Sequence, residues 1–135
     1  MSLHLKVTCA IILHDGKVFA ARRGAAGNQP YRWEFPGGKI EPGETPAQCL
    51  LRELDEELQM KARILEQLPS FFHTYPGFSI ELIPMVCSLE HTQHQASEHS
   101  LTGWFSPEAL RDLHWADADV QLMEYVLKEV LPRYN

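Results

Sequence analysis

The apolar and polar positions alternate in the first part of the chain. Leu3 to Leu13 is dense in apolar and β-branched residues, breaks at Asp15-Gly16 and resumes over Val18 to Ala21. An Asp-Gly link between two such runs predicts an antiparallel hairpin. Trp33 to Pro36 reads as a short strand entering Gly37-Gly38-Lys39. The period then lengthens: Ala47, Leu50, Leu51, Leu54 and Leu58 recur at helical spacing. Thr45 is a good N-cap, Pro46 suits the first helical position and Gln48 completes a capping box, so this helix starts at Pro46.

Two further apolar segments, Ala62 to Tyr75 and Phe78 to Leu89, flank Pro76-Gly77 and read as a hairpin. Pro69 and Pro84 interrupt them and point to bulges or edge positions. Phe71, Phe72, Tyr75 and Phe78 read as core or pocket lining. Ser106-Pro107-Glu108 opens a short helix over about 107–113. The last helix starts near Asp117 to Asp119, carries Val120, Leu122, Met123, Val126, Leu127 and Val130 on its apolar side, and is expected to end at Pro132. The pattern implies an α+β domain: a mixed, irregular sheet with the two main helices on opposite faces.

Composition narrows this picture. A chain of 135 residues, 44% of them hydrophobic, fits one domain, residues 1–135, with a sizeable core. The net charge of -6 argues against a non-specific nucleic-acid binder. A nucleotide stays possible as substrate, because a polyphosphate can arrive with its own cation. Cys9, Cys49 and Cys87 are widely spaced in apolar surroundings and read as reduced packing residues. The apolar run from Val7 to Leu13 is too short to span a bilayer, and no signal-peptide pattern precedes it. A cytoplasmic enzyme with no membrane partner is expected; nothing in the pattern sets an oligomeric state.

Chemistry enters with the helix after Thr45. Glu53, Glu56 and Glu57 stand at i, i+3 and i+4, where like charges destabilise a helix by about 0.2–0.5 kcal/mol per pair. A cation among them would offset that cost, and an all-oxygen set suits Mg²⁺ or Mn²⁺. The alternative is a solvated acidic face. Arg52 and Glu56 also form an ordinary i, i+4 pair. Arg22 and Arg23 end the second strand and lead into the small-residue loop Gly24 to Arg32, as solvated charges or as contacts to an anion. The histidines His91, His94 and His99 fit no closed zinc pattern.

Gly38, five residues, Glu44, seven residues, then Arg52-Glu53-Leu54-x-Glu56-Glu57-x-x-Met60 resembles the Nudix box, GX5EX7REUXEEXGU, where U is a bulky aliphatic residue. The departure is Gln59, which stands where the family has glycine, at a helix end that usually needs a left-handed residue. The resemblance implies the Nudix fold, a mixed β-sheet sandwiched between helices (α/β/α). It implies a Mg²⁺ site at Glu53, Glu56 and Glu57 with a backbone carbonyl from Gly37 or Gly38, Arg52 orienting the glutamates, and Glu44 close by.

Similarity to MutT-type members extends these expectations. Arg23 and Lys39 would meet substrate phosphates, and Phe35 would wall the base pocket. Glu98 would bind a further metal or act as general base, against the plain reading of a solvated loop residue. Asp119 stands where the MutT group has a base-reading asparagine, although it could simply cap the final helix. With WEFPGGKIEPGE and Trp104-Phe105-Ser106-Pro107-Glu108, the chain looks most like the bacterial CTP pyrophosphohydrolase branch. The implied reaction converts a nucleoside triphosphate to monophosphate and diphosphate, on a pyrimidine such as CTP or dCTP or on an oxidised nucleotide, with water attacking the inner β-phosphorus. Alternatives are 8-oxo-dGTP, ADP-ribose or dinucleotide hydrolysis, and a non-catalytic base-recognition module.

Overall fold

The computed structural model describes residues 3–90 and 101–134. The chain runs β1 (Leu3–His14), β2 (Lys17–Arg22), β3 (Trp33–Glu34), β4 (Gly37–Lys39), α1 (Pro46–Leu58), β5 (Ala62–Gln67), β6 (Phe71–Tyr75), β7 (Phe78–Leu89), β8 (Leu101–Phe105), α2 (Pro107–Asp112) and α3 (Asp117–Tyr125). A π-helical turn over Val126–Val130 then leads into α4 (Leu131–Tyr134). The strands form a mixed sheet with the path β3-β2-β1-β7-β5; β4 pairs with β1, β6 with β7 and β8 with β2.

The β1–β7 ladder is parallel and central, running from Leu3 opposite Phe78 to Ile12 opposite Cys87. The middle of each strand is buried on two faces, and successive residues there serve different cores. Cys9, Ile11, Val18, Ala20, Leu82 and Val86 face one layer with Leu122 and Val126. Ala10, Ile12, Phe19, Ala21, Ile83 and Met85 face the other, where Leu50, Leu54 and Leu58 of α1 pack. Helices therefore cover both faces, as the periodicity implied.

Several details differ from the sequence expectations, among them Phe72 and Leu51, which are exposed rather than buried. The segment Ala62 to Tyr75 is two strands, β5 and β6, both antiparallel to β7, and β5 carries a register shift between Ile64 and Glu66. Pro84 lies in the middle of the central strand, not at an edge. It is tolerated because its carbonyl accepts the Leu68 N–H at 2.9 Å across the gap between β5 and β6. A residue's N–H and C=O leave a strand on the same side, so the missing donor also faces that gap.

The last helix does not end at Pro132 but continues to Tyr134. The wide turn before it explains this: the Leu131 N–H reaches back to the Val126 carbonyl, an i→i−5 bond. That widening leaves room for a proline ring that would clash with the carbonyl four residues back in a regular α-helix.

Candidate functional site

The start of α1 is set by the capping box. Thr45 Oγ1 accepts the Gln48 N–H at 3.1 Å, and Gln48 Oε1 accepts the Thr45 N–H at 3.0 Å. With Leu50, Leu54 and Leu58 buried, Arg52 is turned toward the preceding loop. Its Nε donates to Glu44 Oε2 at 2.6 Å and its Nη2 to Glu44 Oε1 at 2.9 Å, a bidentate pair. Its Nη1 donates to Glu53 at 3.0 Å and Glu56 at 3.2 Å. The bond from Arg52, helped by the Glu41 amide, holds the Glu44 carboxyl down at about 2.

This arrangement revises the reason for expecting a metal. The cation that offsets repulsion between Glu53 and Glu56 is Arg52, so helix stability alone requires no ion. Among the described residues, no three His, Cys, Asp or Glu side chains converge as a ready-made metal group. Glu57 is set apart from the Arg52 clamp in lining the cleft described below.

Beside α1, β4 pairs antiparallel with β1, with Gly38 opposite Thr8 and Gly37 opposite Cys9. Thr8, fully buried, donates through Oγ1 to the Gly38 carbonyl at 3.2 Å, and Cys49 Sγ lies 3.2 Å from the Lys39 carbonyl. A Cβ on Gly37 would strike the β1 backbone at Thr8 and Cys9; one on Gly38 would strike the Glu53 carboxylate. The Ala10 N–H donates to the Pro36 carbonyl, and the Ile40 N–H donates to the Lys6 carbonyl. The backbone groups of Pro36 and Ile40 that flank β4 thus face β1, and antiparallel alternation turns the Gly37 carbonyl away from that ladder. Gly37 and Glu57 line one cleft, and carbonyl and carboxylate oxygens are the donor types that suit a hard divalent cation.

A cleft of about 480 Å³ is lined by Gly37, Gly38, Lys39 and Glu57 and also by Phe35 and Asp119. Phe35 is buried with its ring 4.6 Å from that of Trp115. Asp119 is only 6% exposed, and its Oδ2 accepts the Phe35 N–H at 3.0 Å. Burial first, and the charge of Glu34 second, push its carboxyl up to about 8, against the Phe35 amide and Arg23. It does not cap α3: the N-cap position is Ala116, which has no side-chain cap bond, and the Ala118 N–H goes to the Tyr75 hydroxyl at 3.0 Å. Arg23 is held at the cleft by Glu34, 3.0 Å from its Nε, and by the Asn28 carbonyl, 2.9 Å from its Nη1.

The structure thus brings Arg23, Phe35, Lys39, Glu57 and Asp119 to one cleft and places Glu44, Arg52, Glu53 and Glu56 in one ion-pair network. Glu98, with His91, His94 and His99, lies outside the described residues. Glu34, Thr8 and the Tyr75 hydroxyl were not singled out from sequence. The first is the partner of Arg23, and the third joins a strand to a helix 43 residues away, a relation no local spacing encodes. Among the described residues, no helix is long and apolar enough to cross a membrane.

A family model described as NUDIX domain matches residues 3–126. The chain is 40% identical over 120 residues, 89% of each sequence, to a CTP pyrophosphohydrolase of Escherichia coli K12. It is 37% identical over 126 residues, 93% of each, to an 8-oxo-dGTP diphosphatase of Haemophilus influenzae. The solution structure of the E. coli ORF135 protein superposes with a TM-score of 0.76 at 40% identity, covering 91% of this chain and 88% of that one.

Proposed function

Since the chain belongs to the Nudix hydrolases, we propose that it is a Mg²⁺-dependent nucleoside triphosphate pyrophosphohydrolase acting, as one domain, in the cytoplasm on a pyrimidine nucleotide such as CTP or dCTP. Nudix hydrolases generally use divalent ions such as Mg²⁺ and act on small nucleotide substrates. The observation that carries the substrate reading is Asp119. It is a buried carboxyl whose Oδ2 is anchored by the Phe35 amide, leaving Oδ1 for a ligand in the same cleft as Lys39 and Glu57. In its neutral form the group offers a donor and an acceptor, and in its ionised form acceptors only. Either state can meet one atom of the cytosine N3/N4 edge.

Glu53, Glu57 and the Gly37 carbonyl would hold the ion, with Glu56 at the exposed end of the network and Glu98 as a further ligand or general base. A divalent ion there neutralises phosphate oxygens and acidifies a water. Arg52 fixes the carboxylates of Glu44, Glu53 and Glu56 with one guanidinium, so their orientation is set before substrate arrives. Thr8 engages the Gly38 carbonyl, which favours Gly37 over Gly38 as the backbone ligand. Lys39 and Arg23 offset phosphate charge along the cleft, and Phe35 supplies the wall for the base. The products are a nucleoside monophosphate and diphosphate.

Diphosphate release is measured from cytidine, uridine, guanosine, adenosine and 8-oxo-guanosine triphosphates, and AMP release from ADP-ribose, with and without Mg²⁺. Turnover is expected with metal and is fastest on a pyrimidine. No metal-dependent product from any of them would sink the reading. Preference for 8-oxo-dGTP would select the second reading, which the similarity to an 8-oxo-dGTP diphosphatase supports.

A further inference from the structure

Asp119 is not alone at the start of α3. Tyr75 ends β6 with its ring stacked at 5.0 Å on Phe78 and lines the same cleft as Asp119, only 8% exposed. Its hydroxyl accepts the Ala118 N–H at 3.0 Å and so satisfies one of the amides that every helix leaves unpaired at its N-terminus. A phenol oxygen that accepts in this way still carries its own hydrogen. Among the described residues, no acceptor takes that hydrogen, although the residue as a whole is buried and lines the cleft.

The group is held on both sides. Stacking on Phe78 and the tilted ring of His73 at 4.6 Å fix the plane, and the Ala118 amide fixes the oxygen. Ala118 and Asp119 are consecutive, so the Tyr75 hydroxyl, supplied by β6, meets the same helix end that carries the carboxyl. A buried donor with no protein acceptor is unfavourable unless a ligand or water supplies one. A nucleobase, whose ring nitrogens and carbonyls are acceptors, is the ligand that this cleft is read to hold.

We propose that Tyr75 is a specificity-determining residue that donates its hydroxyl hydrogen to an acceptor of the nucleobase, N3 or O2 in cytosine, beside the contact made by Asp119. The inference rests on the nucleotide reading of the cleft. It does not depend on catalysis, since recognition can be read by binding alone.

Tyr75→Phe keeps the ring and its stacking and removes the hydroxyl, both its hydrogen and the oxygen that accepts the Ala118 N–H. The test measures kcat/KM, and equilibrium binding of the monophosphate by calorimetry, for cytidine, 3-deazacytidine and 2-thiocytidine nucleotides on both proteins. The variant is expected to lose about tenfold more on the cytidine nucleotide, the worth of one buried hydrogen bond, than on the one analogue that lacks the acceptor, any loss through Ala118 being common to all three. An equal loss on all three nucleotides means a merely structural role through Ala118, and it overturns the proposal. So does no loss on any. Acceptor-dependent binding without turnover would overturn the hydrolase reading and leave Tyr75 in place. Turnover with unchanged base preference would do the reverse, and a wild-type protein that binds none of the nucleotides overturns both.

Discussion

Asp119 and Gln59 show two ways in which one residue departs from its ordinary state. The Asp119 carboxyl titrates near 8 in the fold, against 3.8 when unperturbed, so the native protein keeps a proton that the unfolded chain releases between those values. Its contribution to stability is therefore fully present below 3.8 and is lost as pH rises toward about 8. Asp119→Asn cannot titrate. Denaturant unfolding across that window is expected to show a decline with pH in the wild type that the variant lacks; parallel curves would remove the carboxyl from the buried site.

Gln59 adopts φ 53°, ψ 39°, the left-handed conformation that the helix end demands, and its N–H donates to the Asp55 carbonyl at 3.0 Å. The backbone turn survives without glycine because its hydrogen bonds are intact, but a side chain in that region carries strain. Gln59→Gly should raise stability by about 0.5–1 kcal/mol, the relief of the left-handed penalty less the added freedom of the unfolded chain. The midpoint of chemical denaturation reads this directly, and a lower midpoint would contradict it.

At the scale of elements, α1 and β4 act as one unit. Arg52 ties α1 to the loop through Glu44, while Thr8 and Cys49 hold the β4 carbonyls from β1 and α1. Glu53→Gln and Glu57→Gln keep the shape and remove charge. Each is expected to lower diphosphate release by roughly two to four orders of magnitude, the range for a positioned acid–base or charge-stabilising group, while the far-ultraviolet dichroism stays unchanged. Wild-type rates in either variant would exclude that carboxylate from the reaction.

Much of this unit was legible in the sequence. The capping box, the apolar stripe apart from the exposed Leu51 and the pairing of Arg52 with Glu56 follow from spacing within one helix, and the left-handed turn at Gln59 follows from where the helix must stop. The cleft was less so. Asp119 Oδ2 accepts an amide 84 residues away and Tyr75 reaches 43 residues, so both relations depend on how strands stack beneath a helix. Glutamate spacing alone also suggested a metal as the neutralising charge, whereas the neighbouring guanidinium supplies it.

At the scale of the whole molecule, one sheet serves two layers through alternation in its central strands. Cys9 and Ile11 face the α3 side, Ala10 and Ile12 the α1 side, and the same division continues through β2 and β7. Side chains that hold the α1–β4 unit and side chains that shape the cleft thus meet along β1: Thr8 supports the Gly38 carbonyl and lines the cavity together with Cys9, one residue on.

The parallel pairing of β1 with β7 has a consequence in time. Its partners lie 75 residues apart, as His4 and Ser79 do. A chain emerging from the ribosome cannot form this ladder until β7 has been made, and at about 5–20 residues per second β1 waits several seconds with its apolar edge unpaired. Closing so long a loop comes late because its entropy must be met before any contact rewards it. During that interval the newborn chain depends on chaperones or on speed, and the vulnerability falls on the strand around which the finished sheet is built.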